Sequence, residues 1–281
     1  MGNPNSYRAT HPGSDQIVGL MRRVNALESV VTGSGSYDFV LKWGTNGTGA
    51  GQFRYPISVA TDSIGDVYVA DLHNHRVQKF NSTGTFILEW GSYGSGDGQF
   101  NYNYGVAVDS SDNIYVADGT NSRIQKFTST GTFLTKWGSY GSGDGQFDRP
   151  LSIASDSSNN VYVADYSSHR VQKFNSTGTF LAQIGSAGSG DGQFNFVRGV
   201  GVDVADKVYI SDAYNYRIQK FDSAGAVITK WGSRGSGDGQ FMGAYGVEID
   251  AAGNVYVADY SNNRIQKFTS TGTFLTKWGS Y

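Results

Sequence analysis

Apolar and polar residues alternate along most of this chain, in short runs that are separated by glycine-rich segments. One unit shows the pattern in residues 105–109, 114–118, 123–127 and 133–138. Short runs rich in Val, Ile, Tyr and Phe, bounded by Gly, Asn, Asp and Ser, are typical of β-strands. The pattern predicts four strands in each unit, called A to D in chain order.

The unit repeats with a constant period. The triplet Gly-Gln-Phe begins at every 47th residue, at Gly51, Gly98, Gly145, Gly192 and Gly239. A four-stranded meander of this length exposes its edges and cannot bury both faces alone, so the copies must stack radially into a closed ring. The sequence therefore predicts an all-β fold, a β-propeller of five four-stranded blades. We expect the core between blades to contain Tyr115, Phe127, Phe133, Trp137 and their equivalents.

A recurring segment in strands B and C carries a family resemblance. The run "VYVAD", a polar spacer and then "RIQKF" resembles the NHL repeat, and it recurs at residues 67–80, 114–127, 161–174, 208–221 and 255–268. The resemblance covers residues 36–281 and implies a β-propeller. Propellers of this family serve as lyases, RNA binders and protein-interaction platforms, so the resemblance leaves function open. A six-bladed ring, common in the family, is the alternative, although a sixth A-B-C set is missing.

One strand is present in surplus. Residues 39–44 copy strand D before the first full repeat. At the closure of the ring this copy would either compete with residues 274–279 or add beyond them. The sequence leaves both arrangements open.

Composition narrows the classes of function. The 281-residue chain has 39 Gly, 18 Tyr, no Cys and a formal charge of −2. The absence of cysteine excludes a thiolate metal site, and the charge disfavours nucleic acid as a partner. No apolar run approaches the length of a membrane span, and residues 1–14 lack the apolar core of a secretory signal. We expect a place on a virion or an extracellular surface without a signal peptide, with the cytoplasm as the alternative.

The two faces of the predicted propeller differ in their variability. The C-to-D turns, on the face that also carries the A-to-B turns, barely change between repeats, whereas the D-to-A and B-to-C connections on the other face vary. This variable face is rich in Tyr, Asn, Ser, His and Arg, a composition that suits recognition. The candidate ligand-binding residues are Tyr55, His73, His75, Tyr102, Tyr104, Arg149, Tyr166, His169, Arg198, Tyr214, Tyr216, Tyr245 and Tyr260.

The sequence offers little for catalysis. The four histidines are His11, His73, His75 and His169, and the last two occupy equivalent positions two repeats apart. The lyases among NHL-like propellers hold a metal with histidines from several blades, and this chain does not supply such a ring. We therefore predict no catalytic residues, no metal site and no cofactor. The fivefold Asp and Arg of strands B and C, such as Asp118 and Arg123, are interpreted as a structural ion pair or turn cap that bridges the two strands.

The segment before the repeats has a helical pattern. Residues 1–14 form a polar tail, residues 15–32 predict an amphipathic oligomerisation helix, residues 33–36 form a Gly/Ser joint, and residues 37–281 form the propeller. The apolar stripe follows heptad a and d spacing. It consists of Ile17, Leu20, Val24, Leu27 and Val31. The β-branched a positions favour a dimer, whereas residues 23–28 resemble a motif of short trimeric coiled coils, and we favour the trimer.

The order of these parts resembles the tail-fibre or spike proteins of bacteriophages. We predict a non-catalytic binding or adhesion module whose propeller recognises a surface glycan or protein, as a virion tail-fibre or spike component. One alternative is an intracellular protein-interaction scaffold. The other is an NHL-type lyase or hydrolase.

Overall fold

The computed structural model describes residues 41–279, which form five antiparallel four-stranded sheets with strand order A-B-C-D. The A strands are Pro56–Thr61, Asn103–Val108, Pro150–Ser155, Val197–Val202 and Ala244–Ile249. The B strands are Val67–Asp71, Ile114–Asp118, Val161–Asp165, Val208–Asp212 and Val255–Asp259. The C strands are Arg76–Phe80, Arg123–Phe127, Arg170–Phe174, Arg217–Phe221 and Arg264–Phe268. The D strands are Phe86–Trp90, Phe133–Trp137, Phe180–Ile184, Val227–Trp231 and Phe274–Trp278.

The connections contain a few short elements. Two D-to-A connections each hold a parallel pair of two-residue strands, Thr45–Asn46 with Gln52–Phe53 and Ser186–Ala187 with Gln193–Phe194. Two B-to-C connections hold one 3₁₀ turn each, at Leu72–Asn74 and Tyr260–Asn262. The predicted all-β propeller of five four-stranded blades is confirmed, and the six-bladed alternative does not apply to the described residues.

Aromatic side chains form the core between blades, as predicted. Tyr68 of blade 1 contacts Trp90 of the same blade edge-on, at 6.2 Å between ring centroids. Trp90 in turn lies 5.7 Å from Phe127 of blade 2, which also contacts Phe100 and Phe133. Because each aromatic side chain buries a large apolar area, these contacts are the main hydrophobic attachment of one blade to the next.

Among residues 41–279, the contacts between blades run from blade 1 to blade 5, and the A strands of blades 5 and 1 do not pack on each other as the other neighbouring A strands do. Neighbouring A strands pack together at the four internal boundaries, and the described residues show no equivalent packing of Ala244–Ile249 on Pro56–Thr61. Four inter-blade clusters are present, and a smaller fifth cluster surrounds Phe80 on the outer side of blade 1. Phe53 is accordingly half-buried, whereas its four equivalents are fully buried. Residues 41–279 therefore do not make the ring closure that we expected.

The surplus strand sequence lies at this open boundary. The described part of that segment is residues 41–44, and its Trp43 packs on Phe80 at 6.1 Å, as Trp90 packs on Phe127. Trp43 thus takes the place on blade 1 that the last strand of a preceding blade would take. The fourth strand of blade 5 is the C-terminal Phe274–Trp278, paired with Arg264–Phe268. The described part of the surplus segment therefore neither competes with the C-terminal strand nor adds beyond it.

The predicted tail, oligomerisation helix and Gly/Ser joint lie outside the described residues. Within residues 41–279, no helix has the length and hydropathy needed to cross a membrane.

The tight contact of tryptophan with the C-to-D turn generates a prediction about stability. Gly131 and Gly225 occupy the same turn position with φ near +81° and +87°, so alanine incurs a similar backbone strain at both, about 1–2 kcal/mol. A Cβ on Gly131 would lie 2.8 Å from the Trp90 ring, whereas a Cβ on Gly225 would lie 3.4 Å from Ile184. We expect Gly131→Ala to destabilise by about 1 kcal/mol more than Gly225→Ala, measured by thermal unfolding. Equal losses would contradict the importance of the tryptophan contact.

Candidate functional site

The D-to-A and B-to-C connections are joined by main-chain hydrogen bonds, which places them on one face as expected. In blade 1 the amide of Leu72 donates to the carbonyl of Tyr55 at 3.3 Å, and the amide of His73 donates to the carbonyl of Arg54 at 3.0 Å. Blades 2, 3 and 4 repeat both bonds, and blade 5 has the first of them. The variable side chains of the two connections therefore lie beside each other.

A buried ion pair beneath this face holds the connections in place. In blade 2 Asp118 is fully buried; one carboxylate oxygen accepts the amide of Asn101 at 2.8 Å and the other accepts Nε of Arg123 at 2.7 Å. The guanidinium also donates to the carbonyls of Ser95 and Gly96 in the glycine-rich loop. All five blades contain the Asp-Arg pair, and the prediction that it is structural is confirmed.

Four side chains of the variable face stand on left-handed backbone. Tyr55, Tyr102, Arg149 and Phe196, at the same position of successive repeats, have φ between 57° and 66°. Such a conformation costs bulky residues of order 1 kcal/mol, and it persists where surrounding hydrogen bonds over-determine it. The main-chain bonds between the two connections provide that restraint, so large side chains are held in orientations that a relaxed loop would not favour.

Five of the candidate residues form one cluster over blades 1 and 2, named here the His-Tyr cluster. The His73 ring lies 4.3 Å from the ring of Tyr55 and 5.6 Å from that of Tyr102. Tyr102 also contacts His75 at 5.3 Å and stacks towards Tyr104 at 6.3 Å. Tyr55, His73 and Tyr102 are exposed, so the cluster presents aromatic edges to solvent.

Seven more candidates form a second cluster over blades 3 to 5, together with Phe196. We name it the Arg-Tyr cluster, and its members are Arg149, Tyr166, His169, Phe196, Arg198, Tyr214, Tyr245 and Tyr260. At its centre, the guanidinium of Arg198 lies 3.8 Å from the ring centroid of Tyr245 and 5.0 Å from that of Tyr166. Tyr245 stacks on Tyr260 at 4.5 Å with an interplanar angle of 10°. The cluster thus joins residues that lie far apart in the chain.

Phe196 was missed by the sequence reasoning. Its ring contacts Tyr166 at 4.7 Å, His169 at 4.5 Å and Tyr214 at 5.3 Å, so it holds the edge of the Arg-Tyr cluster together. Its position, equivalent to that of Tyr55 in blade 1, was a signal that could have identified it. Tyr216, by contrast, lies outside both clusters.

The electrostatic surroundings of Tyr104 connect the two clusters. Burial raises the pKa of the Tyr104 hydroxyl, and the positive charges of Arg149 and Arg198 act in the opposite direction. Burial likewise raises the pKa of Tyr245, again opposed by Arg198. Both tyrosines are therefore neutral near pH 7, and the charge at the centre of this face is positive.

Two histidines have a structural contact in addition to their place on the face. Nδ1 of His169 accepts the amide of Phe196 at 2.9 Å, and Nδ1 of His75 accepts the amide of Tyr102 at 3.3 Å. Each bond links a B-to-C connection to the next blade. An Nδ1 that accepts a hydrogen bond must be unprotonated, so these contacts require the neutral imidazole.

The described residues contain no group of three or more His, Asp and Glu side chains arranged to hold a metal ion. An open pocket of about 320 Å³ lies beside the Arg-Tyr cluster, lined in part by His169, Phe194, Asn195 and Asn215. The side-chain amide of Asn215 already donates to the carbonyl of Gly188 and to the Asp212 carboxylate, and the Phe194 ring is fully buried, so this lining leaves few groups free for a ligand.

Fold and repeats together define the class of the protein. A family model described as the NHL repeat matches residues 53–80, 105–127, 147–174 and 241–268. Blade 4 is not matched, yet its four strands follow the same order. Four stretches of the chain are thus similar to the NHL repeat, and the fold is a five-bladed β-propeller.

Known proteins share parts of this chain or its fold. Human NHL repeat-containing protein 3 is 50% identical over 48 residues, which is 16% of this chain and 14% of that protein, so the match spans a small part of the relative. Virginiamycin B lyase from Staphylococcus aureus is similar in structure, with a TM-score of 0.59, 13% identity and coverage of 80% of this chain and 69% of that chain. A chain of the nidogen/laminin complex has a TM-score of 0.60, 18% identity and coverage of 80% of each chain. The identities of 13% and 18% to these two solved structures are low, so the similarity shows a shared fold alone.

The contact of His75 generates a prediction about pH. Burial lowers the pKa of His75 from 6.5, against the opposing charges of Asp118 and Asp71. The folded state therefore binds this proton more weakly than the unfolded state, so its contribution to stability is present above about pH 6.5 and is lost as the pH falls through the folded pKa. We expect the melting temperature to fall more between pH 7.5 and 5 for the unchanged protein than for His75→Asn, which copies Asn263 of blade 5. Parallel losses would contradict this role.

Proposed function

We propose that this chain is a non-catalytic binding and adhesion module, whose variable face recognises a glycan or a protein displayed on a surface. The observation that carries the proposal is the Arg-Tyr cluster, in which Arg198 is held between Tyr166 and Tyr245 from two other blades. Aromatic and arginine side chains supply much of the binding energy in recognition sites because they combine large contact area with directional polar groups.

Rigidity supports a recognition role. The cluster stands on connections that are fixed by the buried Asp-Arg pairs and by main-chain hydrogen bonds. Rings that are already in contact lose little conformational freedom when a ligand arrives, and this lowers the entropic cost of binding. Tyr214 and Tyr260 keep 46% and 49% of their surface exposed, so they remain accessible to a ligand.

The enzyme alternative receives less support from the chemistry at this face. Nδ1 of His75 and of His169 is occupied by a main-chain amide, and these two histidines belong to separate clusters. A nucleophile and its base need to lie within hydrogen-bonding distance of each other, oriented by a third group. Virginiamycin B lyase shares the fold at 13% identity, so lyase and hydrolase assays with added divalent metal remain a useful check.

The N-terminal pattern extends the proposal to the whole molecule. We propose that residues 15–32 form a trimeric helix that presents several propellers as a virion tail fibre or spike. Displaying several copies raises avidity for contacts that are individually weak. The support comes from the heptad spacing of Ile17, Leu20, Val24 and Leu27. An intracellular scaffold is the alternative, in which the same face binds a protein partner.

Substitution of the exposed tyrosines tests the binding face. The full chain is screened against immobilised glycans and surface proteins, and affinity for the ligands it binds is measured by biolayer interferometry. We expect the double substitution Tyr214→Ala and Tyr260→Ala to weaken binding by about tenfold or more, because the contact area between the two rings and the ligand is removed. Tyr140→Ala is the matched control, since Tyr140 is 74% exposed and lies outside both clusters. An equal effect of the two changes, or no saturable binding in either screen, would argue against the proposal.

Solution mass tests the oligomerisation helix. Light scattering of the full chain should give the mass of a trimer, and Leu20→Asp with Leu27→Asp should reduce it to a monomer, because charge at d positions cannot be buried in a coiled coil. The control is the same pair of changes at Arg22 and Ala26, which lie outside the a and d positions. A monomer for the unchanged chain would refute the trimer and leave the scaffold as the better model.

A further inference from the structure

The guanidinium of Arg198 differs from those of the five repeated arginines in what it contacts. Arg123 represents the repeated type: Nε donates to Asp118 at 2.7 Å, and the Nη atoms donate to the carbonyls of Ser95, Gly96 and Gln99 at 2.6–2.9 Å. Its charge is compensated and its donors are used. An arginine of this kind is structural and has little left to offer a ligand.

Arg198 is held in place without such compensation. Its Nε is buried and has no hydrogen-bond acceptor, and among residues 41–279 no ion pair joins it to a carboxylate. Its neighbours are the ring faces of Tyr245 at 3.8 Å and Tyr166 at 5.0 Å, and its guanidinium also donates a hydrogen bond to the Tyr214 hydroxyl. Ring faces and a neutral hydroxyl fix the orientation of a cation, but they do not compensate its charge. Arg198 is therefore a pre-positioned cation that lacks an anion.

A second arginine adds to this positive charge. Arg149 is exposed, its guanidinium lies 6.0 Å from the Tyr166 ring centroid, and in the described part of the chain it makes no ion pair. Both arginines act on the neighbouring Tyr104 as positive charges. The chain has a net charge of −2, so this local positive potential is a property of the site and not of the whole protein.

We propose that the Arg-Tyr cluster binds the acidic group of an anionic sugar, with Arg198 as the anchor for that group and the rings of Tyr214 and Tyr260 as the surfaces against which the sugar lies. A planar guanidinium presents paired donors that match a carboxylate or sulfate. The Tyr214 ring lies next to the guanidinium, and the Tyr260 ring stacks on Tyr245, which separates it from Arg198; both exposed rings offer flat apolar area for a sugar ring. This inference rests on the proposed binding function and names its ligand class.

The shape of the site favours a sugar over a peptide. Peptides are commonly recognised by adding a strand to an exposed sheet edge or by filling a long apolar groove. The Arg-Tyr cluster instead lies on the connections at one end of the sheets and combines a central cation with separate rings. A compact ring that carries a single acidic group needs one anchor and one or two flat neighbours, and the cluster has both.

The experiment compares acidic and neutral sugars that share one core. Binding of the full chain is measured on an array of carboxylated, sulfated and neutral glycans, and then by calorimetry with 3′-sialyllactose and lactose. The variants are Arg198→Gln, which removes the charge, and Arg198→Lys, which keeps the charge but loses the planar donors. Arg234→Gln is the matched control, because Arg234 is an exposed arginine over Tyr216, 5.6 Å from its ring centroid, and outside the cluster. Thermal unfolding verifies that each variant is folded.

We expect binding to be confined to acidic glycans, with Arg198→Gln weakening it by about tenfold to a hundredfold, as loss of a charged hydrogen-bonding partner does. Arg198→Lys should fall between the unchanged protein and the glutamine variant, and Arg234→Gln should have no effect. Comparing the carboxylated with the sulfated glycans of the array shows which type of acidic group the cluster binds.

Three results would overturn the inference: equal binding of lactose and 3′-sialyllactose, binding of acidic glycans that is unaffected by Arg198→Gln, or no binding of any acidic glycan. Binding of a neutral glycan or a protein that depends on Tyr214 and Tyr260 would overturn the inference and leave the proposed binding function intact. If the chain binds neither acidic glycans nor any neutral glycan or protein, the anionic-sugar inference and the proposed binding function are both rejected.

Discussion

The buried pair of Asp and Arg in each blade is the interaction on which the rest of the structure depends. In blade 2 a single fully buried carboxylate, Asp118, holds the amide that follows the Gly-Gln-Phe triplet and the guanidinium of Arg123, which in turn holds the glycine-rich loop. Removing one partner of such a pair leaves a buried charge without compensation, at a cost of about 3–5 kcal/mol. The pair therefore fixes two connections at once, and it does so five times.

This arrangement separates the parts of the molecule that hold the fold from the parts that are free to vary. The connections are fixed from below by polar contacts and from the side by main-chain hydrogen bonds, so most side chains on top are not needed to hold them; His75 and His169, which accept main-chain amides, are exceptions. Positions such as Tyr55, Tyr102, Arg149 and Phe196 can then hold different residues on the same left-handed backbone. Repetition of one scaffold thus gives a surface on which each blade supplies its own contacts.

The packing between blades has a different physical basis and a different consequence. Large aromatic side chains join each blade to the next, so the blade boundary is apolar where the blade interior near Asp118 is polar. Trp43 fills the position on blade 1 that the tryptophan of another blade would fill. Within residues 41–279 the four internal boundaries are complete without packing of the first A strand on the last, because each boundary is made by neighbours alone.

The sequence by itself determined the elements and their order. A constant 47-residue period with four alternating runs predicts four strands in each of five blades, because strand patterning and blade stacking depend on local periodicity and on burial of two faces. The same period assigns the variable connections to one face, and a fivefold Asp-Arg spacing indicates a structural pair.

Only the tertiary structure decided which variable residues meet. Arg198 lies between Tyr166 and Tyr245, side chains 32 and 47 residues away in the sequence. Phe196 joins the ring of Tyr166 to those of His169 and Tyr214. Tyr216 was predicted on the same grounds as Tyr214 and lies outside both clusters. Such contacts depend on the radial place and the rotamer of each side chain, and a repeat pattern carries no information about either, since equivalent positions in different blades share only their backbone.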